Sequence, residues 1–281
     1  MNEKIKNRMW LYCRGFHPFS SLRYLILIQI ILFILILNGC TFFSPRQESR
    51  RFLTEDDVEN IIQNVKKQND IVSGFYSTGT LTINGWIMDA SVDIFVFANR
   101  DPLMFKMEIL SSWGTPLFYI LIKEDRLVIR DFREKKQYTG RFTPESLSIF
   151  LPNMDWTPDM IWSFLRGYPG FASYDHAYEG KPGVVNIEDR KNNRLGTITV
   201  SPGDGIIEAA ESPPRSFNIK FGDFLKTGDI GYAEKTVVKD VRGKKDLILK
   251  RKKIVFNRDI PDAIFTLKNQ PFFEVVGFDQ N

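Results

Sequence analysis

The stretch from Trp86 to Ile109, WIMDASVDIFVFANRDPLMFKMEI, decides the fold class of this chain of 281 residues. Apolar residues occupy every second position on both sides of a break at Arg100-Asp101-Pro102. Polar side chains such as Asp93 and Lys106 occupy the positions between them. A period of two that is interrupted by turn residues is typical of two paired β-strands with one buried face.

Short runs of the same kind continue along the chain in both directions. Leu117–Ile122 is apolar on both faces, and further short strands are predicted around 127–129, 137–139, 171–178, 183–189, 194–200, 206–210, 216–221, 231–239 and 246–257. Successive strands joined by tight turns favour an antiparallel meander, here of about ten strands.

Three helices are predicted from their start signals. Thr54 and Asp57 form a capping box ahead of a helix that ends near Asn69. Thr143-Pro144-Glu145 and Thr157-Pro158-Asp159 each combine a threonine cap, a proline at the first helical position and an acid in the first turn. The helix that begins at Pro158 is predicted to end at Gly167.

These elements predict a mainly β fold of the α+β class, in which a single curved antiparallel sheet forms an open half-barrel plugged by short helices. The inward residues form either an apolar cavity for a lipid-like ligand or a dry core under the helices. The candidates for the cavity lining are apolar residues of the central strands and of the last helix: Trp86, Met88, Val92, Ile94, Val96, Phe105, Met107, Ile109, Ile161, Trp162 and Leu165.

Charge and cysteine content exclude several classes of protein. Five of the 38 bases and one of the 34 acids lie in residues 1–39, so the other 33 bases and 33 acids balance. A neutral domain does not favour nucleic-acid binding. No cysteine follows Cys40, and His176 is the one histidine after it, so neither a disulfide framework nor a multi-histidine metal centre is expected there. We expect a monomer without cofactor or metal.

The first 39 residues have the order of a secretory signal peptide. A basic segment that ends at Arg23 precedes an apolar run from Leu25 to Leu37, which is shorter than the roughly 20 residues that span a bilayer. The alternative is an uncleaved signal anchor. The run ends in Leu37-Asn38-Gly39-Cys40, which resembles the lipobox of bacterial lipoproteins.

The lipobox resemblance implies that Cys40 is acylated and becomes the new N-terminus. Residues 40–53 would then form a lipidated tether ahead of a domain at 54–281. Thr41 stands where an aspartate retains some lipoproteins in the inner membrane, so the resemblance favours the outer membrane, at its periplasmic face, in a Gram-negative bacterium.

Three further segments resemble LolB, a receptor of the LolA/LolB lipoprotein-localisation superfamily. They resemble its first strand, the strand and turn that carry its protruding loop, and its mid-chain helix: FYSTGTLTI (75–83), LMFKMEILSSWGTP (103–116) and LPNMDWTPDMIWSFLRGYPG (151–170). The resemblance covers roughly residues 40–220, and residues from about 222 onward extend beyond the family pattern.

This resemblance implies a non-enzymatic protein that takes acyl chains of lipoproteins or lipids from a periplasmic LolA-like carrier and places them in the membrane. It assigns Trp113 and Gly114 to a loop that contacts the membrane; the alternative is a tryptophan folded over the rim of the barrel. The basic run at 250–253 is either a solvated strand face with snorkelling stems or a surface for anionic headgroups.

Two other functions compete with the receptor. One is a scaffold lipoprotein with the same fold and no cargo. The other is an esterase, but Ser173, Asp175 and His176 share one predicted strand, so their side chains would not converge as a triad.

Overall fold

The computed structural model describes Gln29 and residues 52–84, 90–148, 156–171, 174–201, 206–212, 217–240, 246–268 and 271–278. Residues 50–281 form one compact unit, which contains every element described below. Within the described ranges, no helix has both the length and the apolar character needed to cross a membrane.

A single sheet of fourteen strands dominates this unit. In chain order the strands are β1 (Gly74–Asn84), β2 (Ala90–Asn99), β3 (Met104–Leu110), β4 (Pro116–Lys123), β5 (Arg126–Asp131), β6 (Lys136–Arg141), β7 (His176–Lys181), β8 (Val184–Glu188), β9 (Arg194–Val200), β10 (Ile207–Ser212), β11 (Phe217–Thr227), β12 (Ile230–Asp240), β13 (Asp246–Phe256) and β14 (Glu274–Gly277). The sheet curves without closing into a barrel, and this confirms the predicted fold class.

The strand order across the sheet is β14-β6-β5-β4-β3-β2-β1-β13-β12-β11-β10-β9-β8-β7. Neighbouring strands are antiparallel with one exception, because β14 pairs with β6 in parallel. The number of strands is larger than the ten or so predicted, and the strand expected at 171–178 begins only at His176.

Most of the segment from about residue 222, set apart in the sequence as an extension, forms strands in the middle of the sheet, and only β14 lies at the edge. β13 pairs with β1 along its whole length, from Phe256 opposite Phe75 to Asp246 opposite Asn84. β11 and β12 form a long hairpin beside it. The two halves of the sheet therefore meet at β1 and β13, and these residues belong to the core of the fold.

Three α-helices pack against one face of the sheet: α1 (Glu55–Asp70), α2 (Pro144–Ser148) and α3 (Pro158–Arg166). We call this face the inner face. Its side chains and the buried faces of the helices form the main hydrophobic core. The predicted bounds of α1 and α3 are confirmed, whereas part of the chain expected to continue α2, residues 149–155, lies outside the described residues.

The capping box of α1 forms as predicted. The Asp57 N–H donates to the Thr54 hydroxyl oxygen at 3.2 Å, and the Thr54 N–H donates to a carboxylate oxygen of Asp57 at 2.9 Å. We expect Thr54→Ala to lower the free energy of unfolding by about 1 kcal/mol, because an N–H of the first turn loses its acceptor. Chemical denaturation would measure this, and a change below about 0.3 kcal/mol would contradict the assigned role of the cap.

A second, smaller hydrophobic cluster lies on the outer face of the sheet. After β13 the chain crosses β3 and β4, and Ile260 and Phe265 of this crossing segment cover Met104 and Leu121. A short 3₁₀ helix, Asp262–Phe265, forms part of the crossing. Both faces of β4 are therefore buried, which explains why Leu117–Ile122 is apolar on both.

Candidate functional site

A small cavity lies between the inner face and helices α2 and α3. Eleven side chains line it, and all are apolar residues or tryptophan: Leu81, Phe105, Met107, Ile120, Ile122, Leu147, Trp156, Ile161, Phe164, Leu165 and Leu247. We call these eleven residues the apolar seam. The seam joins strands from both halves of the sheet to the two helices that plug it.

The cavity has a volume of about 40 Å³. An apolar cavity needs about 150 Å³ to take up a benzene ring, so in this conformation the seam is closed to an acyl chain. The sequence predicted either an apolar cavity or a dry core under the helices. In this conformation the protein's own side chains fill most of that space, so the inner face is close to a dry core. Uptake of a chain would require helices α2 and α3 to move away from the sheet.

The structure brings four of the predicted cavity residues into the seam: Phe105, Met107, Ile161 and Leu165. Others are buried in the surrounding core without lining the cavity: Ile94, Val96, Ile109 and Trp162. Val92 is half-buried at the edge of the core. Trp86 and Met88 lie outside the described residues.

Sequence reasoning missed the seam residues of β1, β4, α2 and β13, and it also missed Trp156 and Phe164. A signal was present in β13, where Leu247 and Leu249 lie two residues apart just ahead of the basic run at 250–253 and mark the inner face. This pattern predicts which face of β13 is buried, but it does not predict which strand lies next to it. The structure pairs β13 with β1 and places Leu247 beside Ile83.

A buried arginine holds the C-terminal end of α3. Arg251 of β13 is 3% exposed, and its Nε donates to the Leu165 carbonyl at 3.1 Å while Nη2 donates to the Phe164 carbonyl. Its Nη1 donates to the Ala233 carbonyl and to the Thr236 hydroxyl, both at 2.8 Å. Burial lowers the pKa of Arg251 to about 9, so the group remains charged at neutral pH.

A cation at this position complements the helix, because the last carbonyls of an α-helix have no partner within it and carry its negative end. Gly167 ends the helix at φ 79°, and a Cβ there would lie 2.6 Å from the Arg251 Cζ. The close approach of the guanidinium therefore depends on glycine at this position as well as on the buried arginine.

A second buried arginine, Arg166, ties the same end of α3 to α1. Its Nη2 donates to the Gln68 carbonyl at 2.5 Å and Nη1 donates to the Asn69 side chain at 3.3 Å. The guanidinium lies 4.5 Å from the ring centre of Tyr168, and burial lowers the pKa of Arg166 to about 10. The C-terminal end of α3 is thus fixed by polar contacts in addition to the seam residues Phe164 and Leu165, whereas Ile161, in its N-terminal half, contributes apolar surface to the seam.

Trp113 stands at the tip of the turn between β3 and β4 and is 91% exposed. The Ser111 hydroxyl oxygen holds this turn by accepting from the N–H groups of Trp113 at 3.3 Å and Thr115 at 3.1 Å. Gly114 adopts φ 75°, in the left-handed region that favours glycine. The indole is therefore presented to solvent by an ordered turn and is not folded over the rim.

Two buried indole N–H groups lack an acceptor among the described residues, those of Trp156 and Trp162. Both side chains are almost fully buried, and Trp156 lines the seam. Buried donors without a partner are uncommon and costly in native proteins. These two groups are available to a carbonyl oxygen that enters beside α3.

Cys40 and the leader that precedes it lie outside the described residues, apart from Gln29. Within the described ranges, no group of three His, Cys, Asp or Glu side chains is placed to hold a metal ion. His176 is exposed at the start of β7, and Asp175 forms an ion pair with Arg190 at 2.8 Å.

The sequence matches no known family description and no curated protein. Solved structures do resemble the fold. A putative outer membrane lipoprotein-sorting protein domain from Vibrio parahaemolyticus aligns at TM-score 0.49 and 10% identity, over 75% of this chain and 96% of its own. A LolA superfamily protein from Nitrosomonas europaea aligns at 0.47 and 14%, over 75% and 97%.

A DUF1329 family protein from Desulfovibrio piger aligns at TM-score 0.48 and 13% identity, over 75% of this chain and 97% of its own. At such identities and TM-scores these likenesses concern overall architecture, and the function proposed below rests on the geometry of this chain.

Proposed function

We propose that this chain is a non-enzymatic, lipid-anchored protein at the periplasmic face of the outer membrane. It binds acyl chains of lipoproteins or lipids between α2, α3 and the sheet, and it helps to place them in the membrane. The observation that carries the proposal is the apolar seam, which runs under two short helices on the inner face of an open sheet.

The apolar character of the seam fits an acyl chain as ligand. Removing apolar surface from water stabilises a complex by about 25 cal/mol per Å². When the seam opens, its apolar side chains lose contacts with one another. An acyl chain that inserts between α3 and the sheet would replace these contacts with its own, so the net free-energy cost of opening is modest. The bilayer offers the chain an equally apolar environment, which favours release there.

The contacts of α3 suggest how the seam opens. Arg166 and Arg251 hold its C-terminal end with several hydrogen bonds, while Ile161 and Trp156 contact the sheet side through apolar atoms alone. The N-terminal half of α3, which contains Ile161, is therefore the part that can swing outward while the hydrogen bonds of Arg166 and Arg251 stay in place. The free indole N–H groups of Trp156 and Trp162 would then meet ester or amide carbonyls of the cargo.

The lipobox supplies the anchor in this proposal. A diacylglyceryl group on Cys40 would hold the domain at the membrane, since each buried methylene contributes about 0.8 kcal/mol. Residues 41–53 would serve as the tether. A LolA-like carrier in the periplasm is the proposed donor, and the exposed Trp113 is the proposed contact with the acceptor bilayer.

The small volume of the cavity favours one alternative, a scaffold lipoprotein with no cargo. Displacement of a fluorescent fatty acid from residues 50–281 separates the two functions. A carrier shows saturable binding that competes with unlabelled fatty acid, whereas a scaffold whose seam stays closed shows none. Absence of saturable binding at micromolar protein would contradict the proposed function.

We expect Trp113→Glu to leave the stability of the domain within about 0.5 kcal/mol and to reduce transfer of acylated cargo to liposomes at least tenfold. The side chain is exposed, so the fold does not depend on it, but a carboxylate is costly in the bilayer interior. Leu225→Glu, at an exposed apolar site at the opposite end of the sheet, is the matched control. Wild-type transfer by Trp113→Glu would show that the turn has no part in delivery.

A further inference from the structure

We propose that the domain contacts the bilayer at a second point, the turn at residues 271–273 that leads into β14, with Phe272 as the inserting side chain. This inference deepens the proposed function, because it rests on delivery to a membrane. It adds a contact far from the Trp113 turn in sequence and assigns a role to the last described strand of the sheet.

The topology places both turns at the same end of the sheet. The Glu274 N–H donates to the Lys135 carbonyl at 2.9 Å, so β14 begins beside the turn that joins β5 to β6. The β5–β6 turn also contacts the β3–β4 hairpin, because the Phe132 N–H donates to the Leu117 carbonyl at 3.1 Å. From β4 to β14 there are three strand spacings of about 4.8 Å, so the two turns lie about 15 Å apart.

A row of aromatic rings supports Phe272 from behind. Ring centres are separated by 4.7 Å between Tyr119 and Phe132, by 5.3 Å between Phe132 and Phe273, and by 5.0 Å between Phe273 and Phe272. Phe273 is buried in this row, whereas Phe272 at its end is 59% exposed. The row therefore holds an uncovered aromatic ring on a rigid base.

One basic side chain also holds Phe273 in place. Arg130 is buried, stacks over Phe273 at 5.5 Å and donates to the Lys268 carbonyl at 2.7 Å. The chain before the turn is thus bound to the sheet just ahead of Phe272. An ordered, exposed aromatic ring at the same end as a 91% exposed tryptophan fits the membrane interface, where aromatic residues are enriched.

Charge decides which surface these residues fit. In the β5–β6 turn and at the start of β14, three bases lie near three acids: Arg133, Lys135 and Lys136 with Asp131, Glu134 and Glu274. The buried Arg130 and the exposed Lys268 add two bases behind Phe273. The exposed side chains at the tips of the two turns, Trp113 and Phe272, are uncharged, so the contact we propose is an apolar one. It fits the interface of an uncharged lipid surface, and its binding should depend little on salt.

Single-cysteine reporters test the contact directly, because residues 50–281 contain no cysteine. This part forms one compact unit with the fourteen-strand sheet and both hydrophobic clusters, so we expect it to fold without the leader. Phe272→Cys would carry an environment-sensitive fluorophore, and Thr227→Cys, exposed at the opposite end of the sheet, is the control. With phosphatidylcholine vesicles that contain a spin-labelled lipid, we expect a blue shift and quenching at position 272 and neither at 227.

Substitution tests whether the contact contributes to binding. We expect Phe272→Glu to weaken partition of the domain onto phosphatidylcholine vesicles about tenfold, with little change between 50 and 500 mM salt. The double variant with Trp113→Glu should show the product of the two single effects, since both turns insert together. Leu225→Glu should bind as the wild type does.

Three outcomes would overturn this inference. The first is equal vesicle binding by Phe272→Glu and wild type, and the second is equal fluorophore responses at positions 272 and 227. The third is a large loss of wild-type vesicle binding at high salt, since the edge would then act through charge. Displacement of fluorescent fatty acid in solution tests the seam without a membrane, so failure of the second contact and failure of the proposed function are told apart.

Discussion

Arg251→Met is expected to lower the free energy of unfolding of residues 50–281 by about 4 kcal/mol. The guanidinium satisfies the Phe164 and Leu165 carbonyls at the end of α3, the Ala233 carbonyl, and the Thr236 hydroxyl. Methionine fills much of the volume but donates no hydrogen bond, so these buried acceptors lose their partner. Urea unfolding followed by circular dichroism measures the loss.

The neighbouring lysine provides a matched control for this substitution. Lys252 follows Arg251 in the same strand, but its side chain is exposed on the outer face. Its Nζ lies 2.8 Å from a carboxylate oxygen of Asp93. An exposed ion pair contributes about 0–1 kcal/mol, so Lys252→Met should change stability little. Equal effects of the two substitutions would contradict the role of Arg251 as the anchor of α3. Amide exchange of the last turn of α3 should also accelerate in Arg251→Met and not in Lys252→Met.

Met107→Trp is expected to reduce the affinity of residues 50–281 for a fluorescent fatty acid at least thirtyfold. Met107 lines the cavity on the inner face of β3, and a tryptophan there occupies the space into which an acyl chain would insert. The larger side chain should cost about 1–3 kcal/mol of stability through overpacking, which leaves the domain folded. Titration with the fluorescent probe, together with an unfolding curve, separates lost binding from lost folding.

The control for this variant places the same residue on the other face of the sheet. Phe95 of β2 is 38% exposed and lies opposite Glu108 on the outer face. Phe95→Trp should leave fatty-acid affinity within a factor of two. Unchanged affinity in Met107→Trp would mean that acyl chains do not enter the apolar seam, whatever else the domain binds.

Local patterns were sufficient to predict the parts of the fold that depend on neighbouring residues. The capping box at Thr54 and the proline and glycine that bound α3 act within one turn, so the sequence predicts these helix ends correctly. The alternation of β2 and β3 likewise predicts their inner residues, such as Ile94 and Phe105.

The features that the sequence did not predict depend on contacts between distant segments. β13 fills the place beside β1, and nothing local to Phe75 indicates a partner near residue 256. The basic run at 250–253 suggests a solvated face, yet Arg251 points to the inner face. Its spacing of two and four residues from Leu249 and Leu247 was a signal of this, because alternate residues of a strand share a face.

The predicted site shows the same division. Exposure of Trp113 follows from a short turn with glycine at the left-handed position, which is a local property. The size of the cavity is set by how the side chains of α2 and α3 fill the inner face, and no pattern in the sequence measures that. Phe272 lies outside every motif considered in the sequence, because its significance comes from the position of β14 at the end of the sheet.

Native mass spectrometry of residues 50–281, purified without detergent and then incubated with a long-chain fatty acid or a diacyl lipid, tests the central claim most directly. If the apolar seam opens to acyl chains, the spectrum contains a one-to-one complex that is lost in Met107→Trp and retained in Phe95→Trp. A spectrum that contains only the bare protein mass at every lipid concentration would contradict the account and leave a scaffold with a closed core.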